Sequence, residues 1–157
     1  VSYTTQKALT RQALTRWAIL QYLIGNADAH GKNVSFYCRA DGLAIAPFYD
    51  MVSVVQYAGF DHELAMAYGD EFRLDDVSPF AWADFAKRTG LQRSFLAREM
   101  TRMAHAALEQ APHQAAEADY AVAERELVFR IAGLIEAQAG KLLAMARPMQ
   151  EIDAALL

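Results

Sequence analysis

A chain of 157 residues is one domain's worth of sequence, long enough to bury about two-thirds of the surface its unfolded form exposes. With 54% hydrophobic and 22% charged residues and a mean hydropathy near zero it falls among ordinary globular proteins and outside the disordered class. The net charge of -4 gives no support to a chain-wide electrostatic grip on nucleic acid, and the lone Cys38 excludes an intramolecular disulfide framework and a cysteine-cluster zinc site.

No apolar run approaches the roughly 18–20 residues of a membrane span, and nothing at the start reads as a secretory leader. The expectation is a soluble, cytoplasmic protein with no membrane role and no direct nucleic-acid binding. The first residue is Val1, and helical periodicity begins almost at once, the pattern of a fragment cut from a longer chain or of one half of a split protein.

From about Thr4 to Ile24 the residues Leu9, Ala13, Trp17, Leu20, Leu23 and Ile24 recur at three- and four-residue steps, with Lys7, Arg11 and Arg16 mostly off that stripe, which predicts an amphipathic helix. Gly25 and Asn26 supply its stop, since glycine enters the left-handed conformation of a helix end without steric cost, and the Asn26 side chain is expected to close the turn. Val34, Phe36 and Cys38 then alternate with Ser35, Tyr37 and Arg39. Ala40, Asp41 and Gly42 make a turn, and Leu43, Ile45 and Pro47 alternate with small residues: a short β-hairpin, ended by Pro47.

Asp61 to Asp76 carries six acids against Arg73, with Gly69 inside, and reads as a solvated, partly irregular connector. Ser78 and Pro79 have the chemistry of an N-cap and first helical position, and Phe80, Trp82, Ala83 and Phe85 form an apolar face up to a stop at Gly90. A second helix is predicted from about Arg93 to Ala111, with Leu96, Met100, Met103, Ala107 and Leu108 on one side and Pro112 closing it. A third, from about Ala115 to Ala146, places Val122, Val128, Ile131, Ile135, Gln138 and Leu142 near one stripe before Pro148. The methionines on these faces read as core filler, because an unbranched thioether fits irregular gaps.

The chemistry concentrates in IGNADAHGKN, Ile24 to Asn33, between the first helix and the hairpin. Asp28 and Asn33 lie five residues apart, and Asp50 follows Asn33 by 17 residues at the far end of the hairpin. This order fits phosphoryl transfer: one aspartate accepts a hydroxyl proton, while an asparagine and a second aspartate hold Mg²⁺. Magnesium takes hard oxygen ligands and only one or two carboxylates from protein, with phosphates and water supplying the rest. Alone the Asp-x4-Asn spacing is weak; the helix stop before it, His30 and Lys32 inside it, the strand after it and the Phe48-Tyr49-Asp50 tripeptide give it weight.

GNADAHGKNVS followed by LAIAPFYDMVS resembles the C-terminal lobe of the HipA-type serine/threonine kinases, the toxin halves of bacterial toxin-antitoxin pairs. HELAMAYGDEF and the Phe85, Ala86, Gly90, Leu91 pattern are similar to that family too. The resemblance covers Val1 to about Leu108 and, more loosely, the closing helices. It implies a mainly α domain with a small β-hairpin, residues 1–157 being the C-terminal (helical) lobe of a two-lobed protein-kinase-like fold whose nucleotide-binding lobe is not in this sequence. Neither a G-x-G-x-x-G loop nor a V-A-I-K-like strand is visible.

The resemblance further implies Asp28 as catalytic base and Asn33 and Asp50 as Mg²⁺ ligands. On the same resemblance His30, Gly31 and Lys32 are expected to line the ATP phosphates and Tyr49 to sit beside the nucleotide. It also implies ATP as co-substrate, a protein of the translation machinery as target and a HipB-like DNA-binding antitoxin as partner.

Plainer readings stand beside these. Asp28 suits a turn residue accepting backbone hydrogen bonds, Asn33 the start of a hairpin, Asp50 a helix N-cap, and His30 a scaffold as well as a phosphate contact. His62, His105 and His113 read as surface or packing residues. A hydrolytic metal site from Asp28, His30 and His62 lacks the usual ligand spacing. An inactive lobe that docks an antitoxin and a small-molecule phosphotransferase are the alternatives in function.

Overall fold

The computed structural model describes residues 1–59, 61–117 and 120–157. The first helix, α1 (Lys7–Ile24), ends at Gly25, whose φ of 63° is the left-handed cap expected there. A Cβ on Gly25 would lie 2.6 Å from Val55 Cγ2 and 3.0 Å from Leu134 Cδ2, so the residue is set both by its dihedral and by close packing.

The stripe on α1 differs from the periodic one. Leu9 is exposed, while Thr10, Thr15, Trp17, Ile19, Gln21, Tyr22 and Leu23 are buried. Polar residues enter the interior where a partner meets them, as when the Thr15 hydroxyl donates to the Arg11 carbonyl at 2.8 Å, and hydropathy alone does not register that.

The first hairpin forms as expected, from β1 (Phe36–Arg39) and β2 (Gly42–Ile45), antiparallel with Phe36 opposite Ile45 and Arg39 opposite Gly42. Neither strand is buried, so its alternation does not mark a core face. The residues before α1 run beside it: Thr5 N donates to the Leu43 carbonyl at 3.0 Å and Leu43 N to that of Tyr3 at 3.2 Å.

The acidic segment is not an irregular connector. It forms a second antiparallel hairpin, β3 (Glu63–Tyr68) and β4 (Glu71–Arg73), with a register irregularity between Glu63 and Tyr68. Its acids stay outside while Leu64 and Tyr68 enter the core.

Helix α2 (Pro79–Thr89) has the caps expected of it: Ser78 Oγ accepts from Ala81 N at 3.2 Å, and Gly90 closes the other end. Helix α3 (Arg93–Ala115) continues through Pro112, which sits in the last turn, where losing one N–H costs a single ladder bond. Ala115 therefore belongs to α3, and α4 (Val122–Ala146) starts later than predicted; the intervening residues 118–119, which the predicted third helix included, lie outside the described residues. Val122 is exposed, and the buried line on α4 is Ala132, Gln138, Ala139, Leu142, Met145 and Ala146. A short α5 (Pro148–Glu151) follows.

The core lies where α1, α2, α3 and α4 meet, with Ile19, Leu23, Leu96, Met100, Leu142 and Met149 at its centre. An aromatic cluster joins the second hairpin to it. Tyr22 meets Trp82 edge-on at 5.6 Å between centroids, and Tyr68 lies 4.6 Å from Trp82 and donates its hydroxyl to the Ala18 carbonyl at 2.7 Å. Burial pushes both tyrosine hydroxyls above the ordinary range, helped at Tyr22 by Asp75, so both remain neutral. No helix is long and apolar enough to cross a membrane among the described residues.

Candidate active site

The loop leaving α1 is held from three sides. Val55 N donates to the Gly25 carbonyl at 3.2 Å, Ala65 N of β3 donates to the Ala27 carbonyl at 2.8 Å, and Asn26 N returns to the Gln21 carbonyl at 3.0 Å. The second hairpin is thus the support of this loop. Sequence reasoning missed that role, because main-chain pairing between residues 27 and 65 has no signature in side-chain type.

Between these anchors the loop presents Asp28, exposed, and a single 3-10 turn over Gly31–Asn33. Asn33 is buried; its Oδ1 accepts from His30 N at 2.9 Å, closing the turn, and its Nδ2 donates to Asp50 Oδ2 at 2.6 Å. Two of the three residues singled out by spacing are therefore in direct contact across 17 positions. Nothing lies within 4 Å of where a Cβ on Gly31 would stand, so the turn is open on that side. Lys32 is exposed, and the His30 ring holds Nδ1 buried with no protein partner.

The segment after β2 aims Asp50. The Phe48 ring stacks on Trp17 of α1 at 6.1 Å, and Tyr49 donates its hydroxyl to the Lys32 carbonyl at 2.5 Å, with Ser35 Oγ 3.2 Å away. Asp50 itself takes φ of 59°, the one positive-φ residue other than glycine among the described residues. Aspartate tolerates this region better than most residues. The 3-10 turn that follows, Val54–Gln56, has Ser53 at its N-cap position, so an N-cap role for Asp50 is not formed; Met51 and Val52 are exposed coil.

Asp28 lines a cavity of about 450 Å³ together with Ala27, Val54, Tyr57, Asp61, Glu63 and Ala65. The acids of the second hairpin thus reach the site, which their reading as a solvated connector did not suggest. His62 does not join His30: its ring Nε2 lies 3.1 Å from the Tyr57 carbonyl. Among the described residues no three His, Cys, Asp or Glu side chains converge on a metal position, so the Asp28, His30, His62 arrangement is not formed. The arrangement present is an amide and a carboxylate in contact, an open glycine turn beside them, and a second carboxylate on the same loop facing a cavity. The Asp50 carboxylate is a hard oxygen donor that suits Mg²⁺, the Asn33 amide beside it carries a second such oxygen that here accepts from His30 N, and phosphate and water are the usual source of the remaining ligands.

Residues 1–112 match the family of HipA-like C-terminal domains. The chain belongs to that family. Over 94 residues it is 43% identical to the serine/threonine-protein kinase toxin HipA of Shewanella oneidensis, an alignment covering 60% of this chain and 22% of that protein. The HipA-like fold extends past the family match into the closing helices: 94% of the chain superposes with a TM-score of 0.86 and 30% identity on a chain of the solved complex of the Shewanella oneidensis MR-1 toxin-antitoxin system HipA, HipB and operator DNA. The chain spans 35% of that protein's length.

Proposed function

We propose that this HipA-like domain is the catalytic lobe of a Mg²⁺- and ATP-dependent kinase that phosphorylates serine or threonine on a protein. The observation that carries the reading is the Asn33 to Asp50 contact at 2.6 Å beside the open Gly31 turn, on the loop that also presents Asp28. The identity to a named serine/threonine-protein kinase toxin supports the acceptor class.

Asp28 accepts the proton of the acceptor hydroxyl as its oxygen bonds to the γ-phosphorus and the bond from that phosphorus to the bridging oxygen breaks, releasing ADP. When bound, Mg²⁺ neutralises charge on the phosphate oxygens. Asp50 would hold it through its carboxylate and Asn33 through its amide oxygen, which in the free domain accepts from His30 N. His30, Gly31 and Lys32 face the phosphates, and Tyr49 fixes the carbonyl side of that turn next to the nucleotide. A second lobe supplies the phosphate-covering loop and the adenine contacts, in keeping with the fraction of its relatives that this chain spans. The antitoxin partner is HipB-like, which the likeness to a HipA, HipB and operator DNA complex supports.

The test is phosphate transfer to protein by the kinase with both lobes present, read by mass spectrometry. Asp28→Ala is expected to lower transfer by about 10²-fold or more. Full transfer by that variant, or none by the wild type, overturns the reading.

A further inference from the structure

The base-bearing loop and the Asp50 segment are joined by one side chain that the kinase reading does not use. Asn26 is 4% exposed. Its Nδ2 donates to Gln21 Oε1 at 2.8 Å and to the Asp50 carbonyl at 2.9 Å, and its Oδ1 accepts from Asp28 N at 3.2 Å. Gln21, on the last turn of α1, is 3% exposed, so the amide is pinned to the rigid end of a core helix. The carbonyl it holds belongs to the one non-glycine residue with positive φ among the described residues.

We infer that Asn26 is a positioning residue: it ties the backbone of Asp28 to the backbone of Asp50 and keeps Asp50 in the left-handed conformation that aims its carboxylate at Asn33. The inference rests on the proposed kinase function and concerns the same divalent cation and nucleoside triphosphate. The donor and acceptor pattern selects asparagine. Aspartate keeps the acceptor for Asp28 N–H and loses both donors, placing a negative charge against two oxygens; alanine leaves the Gln21 and Asp50 oxygens without their donor. Groups that orient a metal ligand without touching the metal commonly set its affinity by about 10–100-fold, the scale on which Asn26 acts.

The test compares Asn26→Asp and Asn26→Ala with wild type in the kinase with both lobes present. Calorimetric titration of Mg²⁺ with a non-hydrolysable ATP analogue is expected to show binding weakened about tenfold or more. Without ligand, amide exchange in peptides spanning 26–34 and 48–53 is expected to quicken together. Glu99→Gln, remote from the loop, serves as the control for lost stability alone and leaves the Mg²⁺ midpoint unchanged. Where the Asn26 variants do not fold, Gln21→Met removes one of its anchors and is expected to weaken binding to a smaller extent. A folded variant with wild-type Mg²⁺ affinity and unchanged exchange at 48–53 overturns the positioning role while leaving the kinase reading intact; a wild type that binds no Mg²⁺ with nucleotide overturns both.

Discussion

Asp50 combines an uncommon backbone conformation with the carboxylate that meets Asn33, and the two properties separate by substitution. Asparagine enters the left-handed region as readily as aspartate, so Asp50→Asn keeps the backbone at φ near 59° and the Asn26 bond to the carbonyl. What it loses is the charge. The expected outcome is an unfolding midpoint close to wild type together with Mg²⁺-nucleotide binding weaker by about tenfold or more. Calorimetry beside thermal unfolding measures both, and unchanged nucleotide affinity in a folded variant counts against Asp50 as a metal ligand.

At the scale of elements, the second hairpin decides how firmly the site loop is held. Its tip is Gly69, with φ of 64°, where a Cβ would stand 2.9 Å from the Ala81 carbonyl oxygen of α2. Gly69→Ala meets both a disfavoured dihedral and backbone that cannot step aside, and is expected to cost about 2 kcal/mol, read by urea unfolding. Because β3 bonds the Ala27 carbonyl, the same variant is expected to speed amide exchange in 26–34, which a change confined to the tip leaves untouched.

This hairpin also shows which features the sequence carries openly. Ser78, Pro79 and Gly90 marked the ends of α2 because capping is chemistry between near neighbours. Spacing and family likeness single out Asp28, Asn33 and Asp50, and the structure brings the last two into contact. The strand β3 was not legible: a register irregularity breaks its alternation, and its pairing with Ala27 and the seat of Tyr68 beside Trp82 arise from residues far along the chain. Asn26 closes the turn as its sequence suggests, its Oδ1 accepting from Asp28 N, while the bond of its Nδ2 to a carbonyl 24 positions ahead is a reach that no local pattern encodes. The inward line of α1 is legible in part: Trp17 and Leu23 are buried as their spacing suggests, whereas Thr10, Thr15 and Gln21 are buried although polar.

Over the whole molecule, α1 is the shaft on which the site is mounted: its last turn carries Gln21 and its flank packs on α3 and α4. Glu99 of α3, 4% exposed, clamps that flank, accepting from Arg16 Nε of α1 at 2.7 Å and from Arg102 Nη2 of its own helix at 3.0 Å. Burial favours the protonated acid, yet the two guanidinium groups outweigh it and hold the carboxyl below its ordinary value of 4.5. A carboxyl whose folded value is depressed binds its proton more weakly in the native state than in the unfolded chain. Its contribution to stability is therefore complete above the ordinary glutamate range and is lost as pH falls through the lowered folded value. With both arginines substantially exposed, the contribution is modest, and Glu99→Gln is expected to lose about 1–2 kcal/mol at neutral pH. Urea unfolding of both proteins across the acid range measures it: the gap between wild type and variant should close as the pH drops below 4.5, whereas a gap that stays constant into acid shows that the glutamate acts through shape and not through charge.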